Sequence, residues 1–271
     1  AAAVTSRMGV RAKVPVVLFG AESIPGDRGF RARRRRKRAL DRASGLLGAN
    51  RIALSLMMAD HPGLLNEVLP QTGVPVPVPI ERPDEPGLTI GYTGRLVPER
   101  GLDLLLRACT RLYGSWTMLV AGSGPAQESM EKLAEQLGLS SRISWLGALP
   151  AGEMAAVWPR LDCLVYPARA TPEWVEVTGR LLLQAMGRGI PVVATATGAL
   201  PDVVGDSGIL VPPEDVESLT GALQDLQQHA GRREHFGDAG RRRVLAEFVD
   251  AAVGRRTLSF WHRILSRTPV P

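Results

Sequence analysis

The sequence predicts an α/β protein built on parallel sheets, because three features occur together. Short apolar segments typical of buried strands alternate with longer amphipathic segments from about residue 88 onwards. Glycines follow the ends of several of these predicted strands. A proline-rich stretch, residues 71–87, separates this regular part from a shorter N-terminal part. Such alternation is typical of a parallel sheet that is covered by helices on both faces.

The composition is that of an ordinary soluble protein and excludes several classes. The chain has 271 residues, of which 45% are hydrophobic and 22% charged, enough for one large or two small domains. No apolar run approaches the roughly 18 residues of a spanning helix. Cys109 and Cys163 lie in apolar surroundings without paired spacing, which indicates reduced core thiols and a cytoplasmic protein. The four histidines have no metal-ligand spacing, so no metal site is predicted.

The N-terminal part, residues 1–80, contains fewer elements than a complete domain. "VPVVLF", Val14 to Phe19, predicts a strand, and "RARRRRKRALDRA", Arg31 to Ala43, predicts a helix. A short strand and helix are expected within residues 48–69. Prolines in residues 81–88 disfavour both helix and central strand, which indicates an interdomain linker.

The predicted basic helix carries positive charge around most of its circumference, with Ala39, Leu40 and Ala43 on the core side. A solvated face, an anionic membrane surface and a polyanion are three interpretations of Arg31–Arg42. Nucleic acid is disfavoured because no aromatic residues lie between the arginines as stacking platforms. We therefore expect no nucleic-acid partner, and a cytoplasmic protein for which peripheral contact with the inner face of the membrane is an open alternative.

The second part, residues 89–246, follows the alternating pattern throughout. Its predicted strands are "LTIGYTG", "WTMLVAGSG", "ISWLG", "CLVYPA", "GIPVVAT" and "GILVPP". Its predicted helices are "GLDLLLRACTRLY", "AQESMEKLAEQLGL", "AGEMAAVWPRL", "VTGRLLLQAMG" and "DVESLTGALQDLQQHAG". Residues 247–271 form a helix and tail for which a crossing back to the N-terminal domain is one interpretation.

Two glycine-containing turns follow predicted strands in this part. Gly94 ends the first strand and is followed by Arg95 and Arg100, whose guanidinium groups suit a diphosphate. Gly122 and Gly124, in "VAGSGP", would let a ligand approach backbone amides closely. Each turn alone is weak evidence, because such turns also form simple corners. Neither a dinucleotide fingerprint nor a Walker lysine is present.

The stretch "EVTGRLLLQAMGRGIPVVATATG", from Glu176, places a polar turn before an apolar helix. The amides of residues 177–180 (Val177, Thr178, Gly179 and Arg180) are expected to be unpaired at the start of this helix, where an anion would be favoured. Glu176 is unusual beside an anion unless it faces hydroxyl donors, such as those of a sugar. Gln184 lies two turns further on, within reach of a ribose. A helix-start acid and a surface glutamine are the simpler alternative.

"GRLVPERGLDLLL", "VAGSGP", "ISWLGALP" and "TPEWVEVTGRLLLQAMGRGIPVVATATGALPDVVGDSGILVPP" together resemble the nucleotide-binding half of glycosyltransferase family 4. The resemblance runs from about Ile90 to Ala246, in the family's order and spacing. It implies the GT-B fold, with one Rossmann-like parallel-sheet domain that binds the donor. It also implies an incomplete second Rossmann-like domain at the N-terminus, which lacks about a hundred of the family's residues, so we expect a fragment of a longer protein.

The resemblance assigns roles by position. Arg95 matches the arginine that contacts the donor diphosphate, and Arg100 stands where a lysine is usual. Glu176 matches the first glutamate of the family's pair, which contacts the transferred sugar. Gln184 stands at the second glutamate, which accepts from ribose hydroxyls, and Thr178 replaces a common phenylalanine. The remaining donor-binding residues implied by these motifs are Gly94, Gly122, Gly124, Val177 and Gly179.

The family implies retaining transfer of a sugar from a nucleotide-diphosphate sugar to a lipid-linked or saccharide acceptor. Glu176, Arg95 and Arg100 would be the catalytic residues, with no metal and no cofactor besides the sugar donor. Two alternatives stay open. One is a catalytically weak or inactive nucleotide-sugar-binding remnant, and the other is an epimerase or phosphorylase with the same fold. The nucleotide base, the sugar and the acceptor do not follow from the sequence.

Overall fold

The computed structural model describes residues 14–21, 30–59, 61–70, 73–80 and 87–267. The chain divides into two compact units. One consists of Ala1–Gly73 together with Phe248–Pro271, and the other is Val74–Glu247. The predicted linker falls largely on residues 81–86, which lie outside the described residues, as do the last residues of the C-terminal tail.

The first unit contains a three-stranded parallel sheet in the order β1-β2-β3. Its strands are β1 (Val17–Gly20), β2 (Gly45–Gly48) and β3 (Leu65–Val68). Its helices are α1 (Phe30–Leu40), α2 (Arg51–Met58) and α10 (Asp250–Arg267). Strand β1 begins three residues later than "VPVVLF" predicted, and β3 was not predicted as a separate strand.

The basic helix α1 is anchored by apolar residues at its C-terminal end. Ala39 and Leu40 are buried, and Ala43 follows the helix in the same apolar cluster, as the sequence predicted. The side chains at positions 34, 35, 37 and 38 of the same helix, all Arg or Lys, are exposed. The charges of these four residues therefore face solvent while the end of the helix is fixed by packing.

Helix α10 packs on the sheet of the first unit. Phe260 and Ile264 are almost fully buried and form one apolar cluster with Leu47 and Leu69. Arg256 adds a hydrogen bond to the carbonyl of Val68 at 2.7 Å. The last helix is thus an integral part of this unit.

The second unit contains a six-stranded sheet in the order β6-β5-β4-β7-β8-β9, with every pair parallel. The strands are β4 (Leu88–Thr93), β5 (Trp116–Ala121), β6 (Ile143–Gly147), β7 (Cys163–Tyr166), β8 (Val192–Thr195) and β9 (Ile209–Val211). The predicted α/β class with parallel sheets is confirmed. The chain builds β4, β5 and β6 outward on one side of the sheet, then returns to β7 on the other side of β4.

The helices of this unit connect the strands and cover the sheet. They are α3 (Leu102–Cys109), α4 (Gln127–Gln136), α5 (Ala151–Val157), α6 (Arg180–Gly187), α7 (Leu200–Val204), α8 (Val216–Gln228) and α9 (Ala230–Glu247). Short 3₁₀ turns occur at Pro98–Arg100, Ser140–Arg142 and Trp158–Arg160. Strand and helix residues such as Ile90, Leu105 and Val165 are fully buried in the main apolar core.

Residues 74–80 group with the second unit, although the sequence placed them in the first domain. Arg241 donates to the carbonyl of Pro77 at 2.9 Å. The Pro77 ring lies so close to Gly187 that a side chain there would collide with it. These contacts explain why this proline-rich segment belongs to the second unit.

Candidate active site

The candidate site lies where the order of the second sheet reverses. Strands β4 and β7 are neighbours, and the chain leaves β4 in one direction and β7 in the other. The loops that follow such strands diverge and leave a crevice in which α/β proteins bind ligands. Arg95 and Arg100 lie in the loop after β4, and Glu176 lies in the loop after β7. The fold therefore brings together residues that are about eighty positions apart in the sequence.

Glu176 is a buried carboxylate whose two oxygens both accept hydrogen bonds. The residue is only 7% exposed. Oε1 accepts from the amides of Thr178 and Gly179, at 3.1 and 3.0 Å, and from the Thr178 hydroxyl at 3.2 Å. Oε2 accepts from the Tyr166 hydroxyl at 2.5 Å. A carboxylate offers about four lone-pair positions, so few remain for a ligand.

These contacts correct the expectation of unpaired amides before α6. The amides of Thr178 and Gly179 donate to Glu176, so the carboxylate of the chain itself takes the place at this turn that the sequence assigned to a bound anion. Gly179 precedes α6 with φ at 59°, a left-handed conformation that suits glycine. Thr178 is exposed and Val177 half-buried in the same turn. Hydroxyl donors do face Glu176, but they belong to protein side chains.

Arg100 pairs with Glu176 and lies between two aromatic rings. Its Nη1 is 3.1 Å from Glu176 Oε2, although it is not aligned as a hydrogen bond. The guanidinium carbon is 5.0 Å from the centre of the Tyr166 ring and 5.2 Å from that of Trp174. Stacking and charge attraction therefore hold Arg100 beside the carboxylate.

Arg169 ties the loop after β7 to the loop after β4. It donates two hydrogen bonds to Asp103, at 2.7 and 2.8 Å, one to the carbonyl of Pro98 and one to Glu214. Burial alone would raise the pKa of Asp103, but pairing with Arg169 holds the pKa below its ordinary value. The same hydrogen bonds raise the pKa of Arg169. This clamp fixes the 3₁₀ turn that carries Arg100.

The glycine turns contact one another through their backbones. The Gly94 amide donates to the carbonyl of Ala121, and the Gly122 amide donates to that of Gly147. A Cβ on Gly122 would lie 1.8 Å from the Gly94 oxygen, and one on Gly124 would lie 2.3 Å from the Leu96 oxygen. The expectation that Gly122 and Gly124 let a ligand approach backbone amides is thus wrong for the amide of Gly122, which is paired within the chain as that of Gly94 is. These glycines permit close packing of the two loops.

A cavity of about 520 Å³ opens at this edge of the sheet, beside the glycine turns. It is lined by Thr93, Gly94, Arg95, Ala121, Gly122, Ser123, Gly124, Ala148, Leu149 and Met154. Arg95 is exposed, so its guanidinium is accessible to a ligand. Gly94 also approaches Leu181 in the first turn of α6, which places the cavity next to the turn of Glu176.

Gln184 lies on α6 and is half-buried. Its backbone carbonyl accepts from Arg188 at 2.8 Å. Gln184 was predicted from the sequence as a donor-binding residue. It lies on the same helix whose start is stabilised by Glu176.

Sequence reasoning missed two aromatic residues of this site, Tyr166 and Trp174, whereas a third, Tyr92, lies on the neighbouring strand without a hydrogen bond to the site residues. Tyr166 ends β7, and Trp174 lies two positions before Glu176. Tyr92, near the end of β4, is buried, and no described atom pairs with its hydroxyl. Burial raises the pKa of Tyr92, opposed by the nearby charge of Arg100. The signal for Tyr166 was a residue with a polar hydroxyl at the end of a short strand that is otherwise apolar.

The described residues contain neither a metal-binding cluster nor a helix that could span a membrane. No group of three or more His, Cys, Asp or Glu side chains in these ranges is placed to hold a metal ion. Within the same part of the chain, no helix combines the length and apolarity needed to cross a bilayer.

Parallel sheets that are covered by helices define a Rossmann-like α/β protein, and its candidate site lies at the strand ends. The chain belongs to the family described as glycosyl transferases group 1, whose family model matches residues 79–243. The family model thus covers the six-stranded sheet and both groups of site residues.

Two curated relatives match the chain over part of their length. A GDP-mannose-dependent alpha-(1-6)-phosphatidylinositol monomannoside mannosyltransferase of Mycolicibacterium smegmatis is 32% identical over 54% of this chain and 40% of that protein. A 2-deoxystreptamine glucosyltransferase of Streptomyces kanamyceticus is 30% identical over 68% of this chain and 48% of that protein. The matched regions thus span less than half the length of each relative.

Solved structures share the fold. Anabaena HepE in complex with UDP aligns with a TM-score of 0.78 at 17% identity, over 97% of this chain and 76% of that chain. The C-terminal domain of a glycosyl transferase group 1 protein, LpcC, from Francisella tularensis aligns with a TM-score of 0.56 at 26% identity, over 64% of this chain and 97% of that one. These similarities support the predicted arrangement of Rossmann-like sheets.

Proposed function

We propose that the chain binds a nucleotide-diphosphate sugar and serves a retaining glycosyltransferase of family 4. The acceptor of the transferred sugar would be lipid-linked or a saccharide. The observation that carries this proposal is the buried carboxylate of Glu176, held beside Arg100 at the start of α6 and next to the cavity that Arg95 lines. A fixed carboxylate beside two arginines suits a ligand with a sugar at one end and phosphates at the other.

The two arginines would stabilise the charge of the leaving diphosphate. As the bond between the sugar and the diphosphate breaks, negative charge grows on the phosphate oxygens, where guanidinium groups are most effective. Arg95 is exposed and accessible to the diphosphate, while Arg100 would turn from Glu176 towards it. The positive end of the α6 dipole adds to both. Transfer without a metal, with departure of the diphosphate on the face that the acceptor attacks, is part of this proposal.

Glu176 would act at the sugar end of the donor. A carboxylate beside a diphosphate is unfavourable unless sugar hydroxyls or a developing positive charge on the ring offset the repulsion. Once Arg100 has turned away, Oε2 gains room for one such contact. Because the positive charge develops only during the reaction, Glu176 would stabilise the transition state more than the bound donor.

The nucleoside would lie in the cavity beside the glycine turns, with Gln184 near the ribose. Similarity to a GDP-mannose-dependent enzyme, and to HepE, which was also solved in complex with UDP-glucose, supports a nucleotide-sugar donor and suggests GDP-mannose and UDP-glucose for testing. Thr178 and Gly179 would contribute indirectly, because their amides hold Oε1 of Glu176 at the start of α6. An amide at position 184 can accept from ribose hydroxyls, but without the strength of a charged acceptor.

The test is cleavage of radiolabelled UDP-glucose and GDP-mannose by the chain and by Glu176→Gln. We expect the substitution to slow cleavage about a hundredfold while the affinity for UDP or GDP stays unchanged or rises slightly. Glu173→Gln, an exposed carboxylate three residues earlier, is the matched control and should behave like the parent chain.

Four results would contradict the proposal. Loss of nucleotide affinity together with the rate would mean that Glu176 only maintains the turn before α6. Tight binding with no cleavage of either donor would support the inactive remnant instead. Release of an isomerised sugar nucleotide, or cleavage that depends on inorganic phosphate, would indicate the epimerase or the phosphorylase.

The exposed charges of α1 support a second proposal, that the chain is cytoplasmic and contacts the anionic inner face of a membrane through Arg31–Arg42. Each Lys or Arg near such a surface contributes about 1 kcal/mol, and four described side chains of this segment face solvent. Cosedimentation with anionic vesicles should occur at low salt and disappear at about 1 M salt. Equal binding to neutral vesicles would contradict this proposal.

A further inference from the structure

Tyr166 contacts both charged groups of the candidate site. It is the last residue of β7 and is only 3% exposed. Its hydroxyl donates to Glu176 Oε2, and its ring lies 5.0 Å from the guanidinium of Arg100. One side chain, fixed by the strand, therefore orients the carboxylate through its hydroxyl and the guanidinium through its face.

The other donors to Glu176 fix only one of its oxygens. Oε1 is held by the turn of Thr178 and Gly179, whose backbone moves with Glu176 itself. Oε2 would be free to rotate about this anchor if Arg100 turned away, because the Arg100 contact is not an aligned hydrogen bond. Tyr166 provides a hydrogen bond to Oε2 from outside the turn, and from the central sheet.

We propose that Tyr166 is a positioning residue that holds Oε2 of Glu176 in its reactive orientation through its hydroxyl. This inference rests on the proposed function, in which Glu176 acts on the sugar. The hydroxyl keeps the carboxylate in place when Arg100 turns to the diphosphate. Because Tyr166 is only 3% exposed, we expect it to affect the reaction through Glu176 and not through contact with the donor.

The chain offers a closely matched control. Tyr92 lies on β4, the strand beside β7, and is 2% exposed. Its hydroxyl has no partner among the described residues. Tyr166→Phe and Tyr92→Phe therefore remove the same atom from two buried tyrosines, of which one hydroxyl is hydrogen-bonded to Glu176 and the other is not.

The experiment measures donor cleavage for the two variants and for Glu176→Gln alone and combined with Tyr166→Phe. We expect Tyr166→Phe to lower kcat about tenfold with the donor KM within about twofold, and Tyr92→Phe to leave both nearly unchanged. In the Glu176→Gln background, Tyr166→Phe should cause less than a twofold further loss, because the group that it positions has already been replaced. Multiplicative losses, or a rise of KM without a fall of kcat, would overturn the inference.

A second measurement separates this inference from the proposed function. The free energy of unfolding by urea is measured for the parent chain, Tyr166→Phe, Glu176→Gln and the double variant, which together form a double-mutant cycle. Coupling between positions 166 and 176 in stability, in a chain that cleaves neither donor, would contradict the proposed function and support the contact between the two side chains. Cleavage by the parent chain without coupling in either measurement would overturn the inference and leave the proposed function standing.

Discussion

The two regions of the candidate site are built in opposite ways. At the glycine turns, backbone packs on backbone, and the side chain of Arg95 is left exposed beside a cavity of about 520 Å³. At the turn before α6, the side chains of Arg100 and Tyr166 both contact the carboxylate of Glu176. The first region can admit a ligand without rearrangement, whereas the second must exchange at least one internal contact.

Because of this difference, we expect substitutions in the two regions to change different properties of the chain. A side chain added at the glycine turns would separate loops that are held by backbone hydrogen bonds, so it should affect stability. A side chain removed beside Glu176 would leave a buried charge with fewer partners, so it should affect both stability and binding.

Gly122→Ala should cause the largest loss of stability, about 3–5 kcal/mol, as overpacking and an unfavourable φ add together. The new Cβ would lie 1.8 Å from the backbone oxygen of Gly94, and φ at this position is 154°. Unfolding by urea measures the change. Gly221→Ala in α8, where nothing lies within 4 Å of the added atom, is the control and should stabilise by up to about 1 kcal/mol. A cost below about 1 kcal/mol for Gly122→Ala would show that the two loops can part freely.

The two arginines should differ in which property they change. We expect Arg95→Ala to weaken UDP or GDP binding by about 1–3 kcal/mol without changing the unfolding free energy, because Arg95 is exposed. Arg100→Ala should weaken binding less, since binding must first break its pairing with Glu176, and it should destabilise the chain by about 1–2 kcal/mol. Isothermal titration measures the nucleotide affinity of each variant, and urea unfolding measures its unfolding free energy.

The bare nucleoside is the control for both arginines, and its affinity should stay unchanged. Equal effects of Arg95→Ala and Arg100→Ala on binding, with no loss of stability for either, would remove the proposed difference between the two regions. The ion pair of Arg100 and Glu176 would then be weak enough to exchange without cost.

The sequence was sufficient to predict the strands of the second sheet and the loops that carry the candidate site, and the reasons are physical. Central strands of the second unit, such as β7 and β8, are buried along their whole length and so are short apolar runs that can be recognised locally. Helix α9 was missed because its sequence is rich in charge and contains Gly237 and Gly240. Both glycines face close neighbours, the backbone of Gly189 and the side chain of Met186, a packing requirement that cannot be seen without the fold.

The partners of the site residues could not be predicted in the same way. Motif spacing placed Glu176 at the start of a helix, but its contact with Tyr166 depends on the course of the loop between them. The amides of Thr178 and Gly179 were expected to bind an anion, and the nearest anion is the side chain two or three residues before them. Local sequence identifies a helix start, whereas the competition for its donors is decided by tertiary structure.

Gln184→Glu should produce the smallest effect and test how far the second region extends along α6. If Gln184 contacts the ribose, a carboxylate there should tighten donor binding up to about tenfold, because a charged acceptor bonds hydroxyls more strongly than an amide. The added negative charge repels the diphosphate, so any gain requires a direct contact. Gln228→Glu, exposed near the end of α8, makes the same change in net charge away from the site and should leave affinity unchanged or slightly lower. The gain should disappear with a 2′,3′-dideoxy nucleotide, and a gain that persists with this analogue would show that Gln184 acts on the helix and not on the ribose.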